Sequence, residues 1–176
     1  MKYLIYVLFV EVILGVTFGL FSVWGWNGLV PDLILLIVIA LGLVLESFDY
    51  VFLGLVGGFW LDVIYGLPIG SFTVPLLFCG SIANYLLRQK LFSDIKWYHF
   101  VGAIVIATIF LKLWIWGFTN ILVALGWGVY AISGVQILRH LFPNILVNVL
   151  LAYPAYILVE MFAHSQLRWK KNKLTL

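Results

Sequence analysis

Charge is scarce in this chain: 176 residues carry only 10 Lys or Arg and 7 Asp or Glu. That is 10% charged, against about a quarter in soluble domains. A soluble fold must meet water with its outer face, and too few polar side chains exist here to build that face. Cysteine is scarcer still. Cys79 stands alone, which excludes an intramolecular disulfide and a Cys-based metal cluster. It falls within an apolar run and reads as a small buried residue. Apolar–polar alternation is absent, so a β-barrel is not expected. No phosphate-binding loop and no Ser–His–Asp arrangement can be found. His99, His140 and His164 are scattered, and each reads as an interface residue, not as a ligand. Neither catalysis, a metal nor a cofactor is expected.

What the chain has in abundance is apolar sequence: 65% hydrophobic residues and a mean hydropathy of +1.16. This defines an integral membrane protein, with lipid taking the place of water around it. The net charge of +3 resides mainly in the tail and gives no reason to expect nucleic acid as a partner. The expected fold is all-α, a polytopic helical bundle forming one membrane domain over 1–176 with a basic cytoplasmic tail at 165–176.

Six spans are expected: Tyr3–Val23, Asp32–Leu45, Phe48–Tyr65, Ser71–Leu87, Phe100–Gly117 and Asn144–His164. The first lacks a small-residue cleavage site after it and is read as retained. The second and third are short and form a hairpin at Glu46–Asp49. Phe118–Pro143 is apolar but broken by Gly126, Gly128 and Gly134, with Gln136, Arg139 and His140 on one helical face. It reads as a seventh span, a re-entrant segment or an interfacial helix. Positive charge favours six crossings. With the N-terminus inside, Lys2, Arg88, Lys90, Lys96, Arg168, Lys170, Lys171 and Lys173 all lie on the cytoplasmic side, and only Arg139 lies outside. Both termini are then cytoplasmic. Trp24, Trp26, Trp97, Tyr98, Trp114, Trp116 and Trp169 flank these spans, as amphipathic rings at a membrane interface do. Pro154 is expected to kink the last span. The Arg168–Lys173 cluster suits anionic lipid headgroups, at about 1 kcal/mol per residue.

Four ionisable residues fall within spans: Glu11, Asp62, Lys112 and Glu160. A charge at the bilayer centre costs about 2.5–3.5 kcal/mol on insertion scales, so each needs a partner or a wet cavity. At about 1.5 Å per residue, Asp62 and Lys112 lie at similar depth, so an intramembrane ion pair between them is expected. Glu160 and His164, spaced i, i+4, reach interfacial water. Asn120, Gln136, Asn144 and Asn148 lie toward the outer side and are candidates to line a pocket or to cap and join helices; Asn144 and Asn148 share a helical face.

The most informative stretch is Gly58-x-x-x-Asp62-x-x-x-Gly66-x-x-x-Gly70. The four-residue spacing puts Gly58, Asp62 and Gly66 along one side of a helix. This is a packing or partner-contact face where small residues admit a neighbour and the acid bonds across the contact. Pro68 and Gly70 then turn the chain toward the next span.

This pattern, in a third hydrophobic segment and with Pro31-Asp32 opening the second, resembles the rod-shape-determining protein MreD family of bacterial cell-wall elongation. The recognisable residues run from Pro31 to about Tyr85, and the remainder is similar in hydropathy alone. The resemblance implies a non-enzymatic scaffold of the cytoplasmic membrane. Its implied partners are membrane lipids, an MreC-like protein, MreB, and RodA with its transpeptidase. It also implies a fold similar to the S components of energy-coupling-factor transporters. The alternative function is therefore capture of a small molecule such as a vitamin, in an outward pocket lined by Asn120, Gln136, Asn144 and Asn148.

Overall fold

The computed structural model describes residues 7–8, 10–15, 17, 19, 32–44, 49–88, 97–127 and 131–173. Every element among them is a helix. The described residues of 7–19 form α1, followed by α2 (Leu33–Val44), α3 (Asp49–Ile64), α4 (Thr73–Arg88), α5 (Trp97–Ala124) and α6 (Gly134–Lys173). Trp24, Trp26, the Glu46 turn, Lys90 and Lys96 lie outside the described residues, as do the side chains of Arg88, Glu160, His164, Arg168, Trp169, Lys170, Lys171 and Lys173.

α2 is the centre of the bundle. Its sequence, LILLIVIALGLV, is apolar on every side, and such a helix is stable only when surrounded. Ile34, Leu35, Leu36, Val38, Ile39, Ala40, Leu41 and Leu43 are all buried, with α3, α4, α5 and α6 packed around them. Burying a Leu or Ile side chain contributes about 1.5–3 kcal/mol in water. In lipid, close packing and interhelical hydrogen bonds take over that role. Small residues provide the closeness. A Cβ on Gly42 would lie 2.7 Å from the Gly80 carbonyl oxygen, and Asn84 Nδ2 donates to the Gly42 carbonyl at 3.2 Å across the same crossing.

Among the described residues, α5 and α6 are the two helices long and apolar enough to cross a membrane; their most apolar windows are only 33% and 22% buried. Their uncovered faces carry Ile106, Leu113, Ile121, Leu146, Leu150 and Leu158. α2, with 12 residues, reaches about 18 Å, short of a hydrocarbon core of about 30 Å.

The observed α2, α3 and α4 lie within two residues of the expected spans at each end. The last two helices are longer than expected. Residues 118–124 continue α5, and 134–143 open α6, so the described residues of 118–143 contain no separate helix. The physical reasons are local. Gly126 (φ +80°) ends α5, with Gly126 N–H donating to Val123 O and Trp127 N–H to Leu122 O, both at 3.0 Å. Ser133 then caps α6 reciprocally: Gln136 N–H donates to Ser133 Oγ at 3.4 Å, and Ser133 N–H to Gln136 Oε1 at 3.2 Å. Pro143 and Pro154 both lie inside α6.

Candidate functional site

α3 ends where its sequence turns to Gly66-Leu-Pro-Ile-Gly70. Leu67 N–H donates to Asp62 O at 2.9 Å and Gly66 N–H to Val63 O at 3.2 Å, the paired bonds of a left-handed helix terminus. Gly66 sits at φ +61° and Gly70 at φ +107°, where a Cβ is strained. The returning chain starts α4 directly over Asp62, whose side chain is fully buried. Its carboxylate accepts from Gly70 N–H at 2.8 Å, Phe72 N–H at 2.6 Å, Thr73 N–H at 3.4 Å and the Thr73 hydroxyl at 2.7 Å. A negative charge at the amino end of a helix satisfies its free donors and opposes its dipole. The buried charge is thus compensated by donors eight to eleven residues further along the chain.

This corrects two expectations. Asp62 does not pair with Lys112; Lys112 Nζ lies 3.7 Å from Asp32 Oδ2 instead. Gly58, Asp62 and Gly66 also do not share one helical side, while Gly70 lies in a turn as expected. Gly58 and Asp62 belong to α3, Gly66 terminates it, and Gly70 belongs to the turn. Gly58 packs against the start of α4 within the same chain, where an added Cβ would lie 2.4 Å from Thr73 Cα. Both Gly58 and Asp62 are buried, so neither offers surface to a partner.

α5 fastens this turn from the side. Trp114 Nε1 donates to Gly70 O at 3.1 Å, and the Trp114 ring stacks on Phe118 with centroids 5.9 Å apart. Trp114 is therefore half-buried and bonded within the bundle, whereas Trp97 and Tyr98, at the start of α5, are exposed.

Beside the turn, a second polar cluster joins α2, α5 and α6. Asp32 precedes α2 and caps it, with Leu36 N–H donating to Asp32 O at 3.1 Å. Asn148, fully buried on α6, accepts from Asp32 N–H at 2.9 Å, and its Nδ2 donates to Asp32 Oδ2 at 3.2 Å and to Thr108 Oγ1 at 3.0 Å. Asp32 and Lys112 each keep 16% side-chain exposure, and that exposure opens into a cavity of about 290 Å³. Tyr65, Phe72, Ile115, Ile132, Gln136, Ile137, His140 and Asn144 complete its lining.

The four amides expected to line a pocket are thus divided. Gln136 and Asn144 line the cavity, and Asn148 lies among the cluster behind it. Asn120 lies elsewhere, bridging Trp116 O at 2.8 Å and Ile132 O at 3.0 Å. Asp32 and Thr108 are the site residues that span reading missed. The signal for Asp32 was an acid right after a proline at a helix start; Thr108 carried none, being one hydroxyl in an apolar run. Glu11 is exposed on α1. Among the described residues, no group of three His, Cys, Asp or Glu side chains could hold a metal ion.

Comparison with protein-family models, curated proteins and solved structures finds no match to this chain.

Proposed function

We propose that this chain is a multi-pass protein of the bacterial cytoplasmic membrane, MreD-like, acting as a non-enzymatic scaffold or regulator of the cell-wall elongation complex. In this reading all six helices lie in the bilayer with both termini cytoplasmic. The Asp62 turn and the cavity then lie toward the outer side. The observation that carries the reading is that Gly58, Asp62, Gly66 and Gly70, which carry the resemblance, are all used in one structural unit. That unit fixes α3 against α4, which supports a structural role for these four residues. Partner contact falls to the uncovered apolar faces of α5 and α6, with an MreC-like protein and RodA with its transpeptidase as the expected neighbours.

The cavity of about 290 Å³ favours a second reading, a transporter S component that captures a small molecule. Purification of the tagged protein from its native membrane in mild detergent, followed by mass spectrometry of everything retained, separates the two. Recovery of an MreC-like single-span protein with the elongation synthases is expected. Recovery of an ATPase module would overturn the scaffold reading.

A further inference from the structure

We propose that the outward face of α1 is a docking surface for the transmembrane helix of a different protein, one that presents a Lys or Arg side chain to Glu11. The proposal rests on the multi-pass membrane part of the proposed function and is independent of the assignment to cell-wall elongation.

The described residues of α1 divide into two faces. Val10, Ile13 and Leu14 are buried in the bundle core, and Thr17 is buried on the same side. Leu8, Glu11, Val12, Gly15 and Gly19 are exposed, and their spacing places them along the opposite side.

Glu11 needs a counterpart on that side. Within the span expected at Tyr3–Val23 it lies roughly 12 Å from one end and roughly 18 Å from the other. A Glu side chain lacks the long stem by which Lys and Arg return their charge to the interface. Among the described residues, no hydrogen bond or ion pair meets it. Ionisable groups at such depth face a bundle interior, a wet cavity or an opposite charge. Glu11 faces outward, so its counter-charge comes from outside the chain. Beside it the surface is shaped for close approach: a Cβ on Gly15 or Gly19 would meet nothing within 4 Å, whereas Gly42 and Gly58 are already covered by the chain itself.

Charge complementarity selects the occupant. A second copy docked α1 against α1 would set Glu11 against Glu11. Lys112, the one cation expected at span depth, is only 16% exposed and lies against Asp32, so a second copy does not offer that either. The ammonium headgroups of lipids lie at the interface, away from this depth. What remains is a Lys or Arg within a span of another protein.

The test uses the full chain in its native host, with Val12, beside Glu11 on the exposed face, replaced by p-benzoylphenylalanine. Membranes are irradiated and the cross-linked peptides sequenced by mass spectrometry. Ile106, exposed on α5, carries the same probe as a control. The expected adduct at position 12 joins an apolar segment of another protein that contains a Lys or Arg, and it does not form from position 106. Glu11→Gln and Gly15→Leu, which leave the buried face of α1 intact, should each lower its yield at least fivefold. Adducts at position 12 with lipid or a second copy alone, or with a span lacking Lys and Arg, would overturn the proposal. So would equal capture from position 106 or a yield unchanged in Glu11→Gln. Alkaline carbonate washing separates the two levels of failure. A chain released from the membranes overturns the membrane reading itself, whereas a retained chain giving only lipid adducts overturns the α1 interface alone.

Discussion

Asp62 Oδ1 lies 2.6 Å from the backbone nitrogen of Phe72, so a side chain near the end of α3 caps the helix that follows. An acid expected to need a partner or a wet cavity is thereby the residue that fixes the α3–α4 corner. Its four accepted bonds explain why a charge can sit there without a cation.

Replacing Asp62 is expected to cost more than an exposed helix cap, because three backbone donors and a hydroxyl lose their acceptor inside the bundle. Asp62→Leu should lower stability by about 2–4 kcal/mol, from the cost of orphaned buried donors and a lost cap. Thr73→Val, which removes one donor only, should cost about 1 kcal/mol. Denaturant unfolding in detergent, followed by tryptophan fluorescence, measures both. A loss below that of Thr73→Val would remove Asp62 as the clasp.

The glycines should separate by position. Gly58→Val places side-chain atoms against the Thr73 backbone and should cost about 1–3 kcal/mol as overpacking, with α3 and α4 forced apart. Gly102→Ala meets nothing within 4 Å and should be neutral or stabilising, by up to about 1 kcal/mol of helix propensity. Thermal unfolding monitored by size-exclusion chromatography ranks the two.

Double-mutant cycles should place the coupling of Lys112 on Asp32. A coupling energy of about 1 kcal/mol is expected for Asp32–Lys112, a partly buried pair at 3.7 Å. Asp62–Lys112 should show less than about 0.5 kcal/mol, the scatter of independent sites. The reverse order would restore the pairing that depth alone suggested.

Topology is open to fusion analysis. Alkaline phosphatase joined after Trp127 should be active, and joined at the carboxyl terminus inactive. That pattern follows from the positive residues gathered at 168–173 and at 88–96. Inactivity after Trp127 would contradict six crossings with both ends inside.

Much of the helical layout was legible from hydropathy, because the apolar runs that form α2, α3 and α4 are punctuated in the sequence by Pro31, by Glu46–Asp49 and by Gly66–Gly70. Asp62 stood out as an acid in an apolar run, yet its partners did not. Depth arithmetic treats helices as parallel rods and searches for cations, whereas Asp62 is met by backbone donors of its own following turn. Lys112 was misassigned for the same reason: Asp32, at a helix start, was not counted among the intramembrane charges. The start of α6 was hidden by Gly134, although Ser133-x-x-Gln136 is a capping-box sequence that could have placed it. The cavity was only half legible. Gln136 and Asn144 announced polarity, but its lining requires Asp32, the α3–α4 turn, α5 and α6 to meet.

The most direct measurement is depletion of this protein in its native host, with cell shape followed by microscopy and membrane insertion of each rescuing variant verified. Loss of rod shape, restored by the unaltered protein and not by Asp62→Leu, is the expected result. Unchanged shape on depletion would contradict the assignment to cell-wall elongation, and full rescue by correctly inserted Asp62→Leu would contradict the place given to the α3–α4 clasp in it.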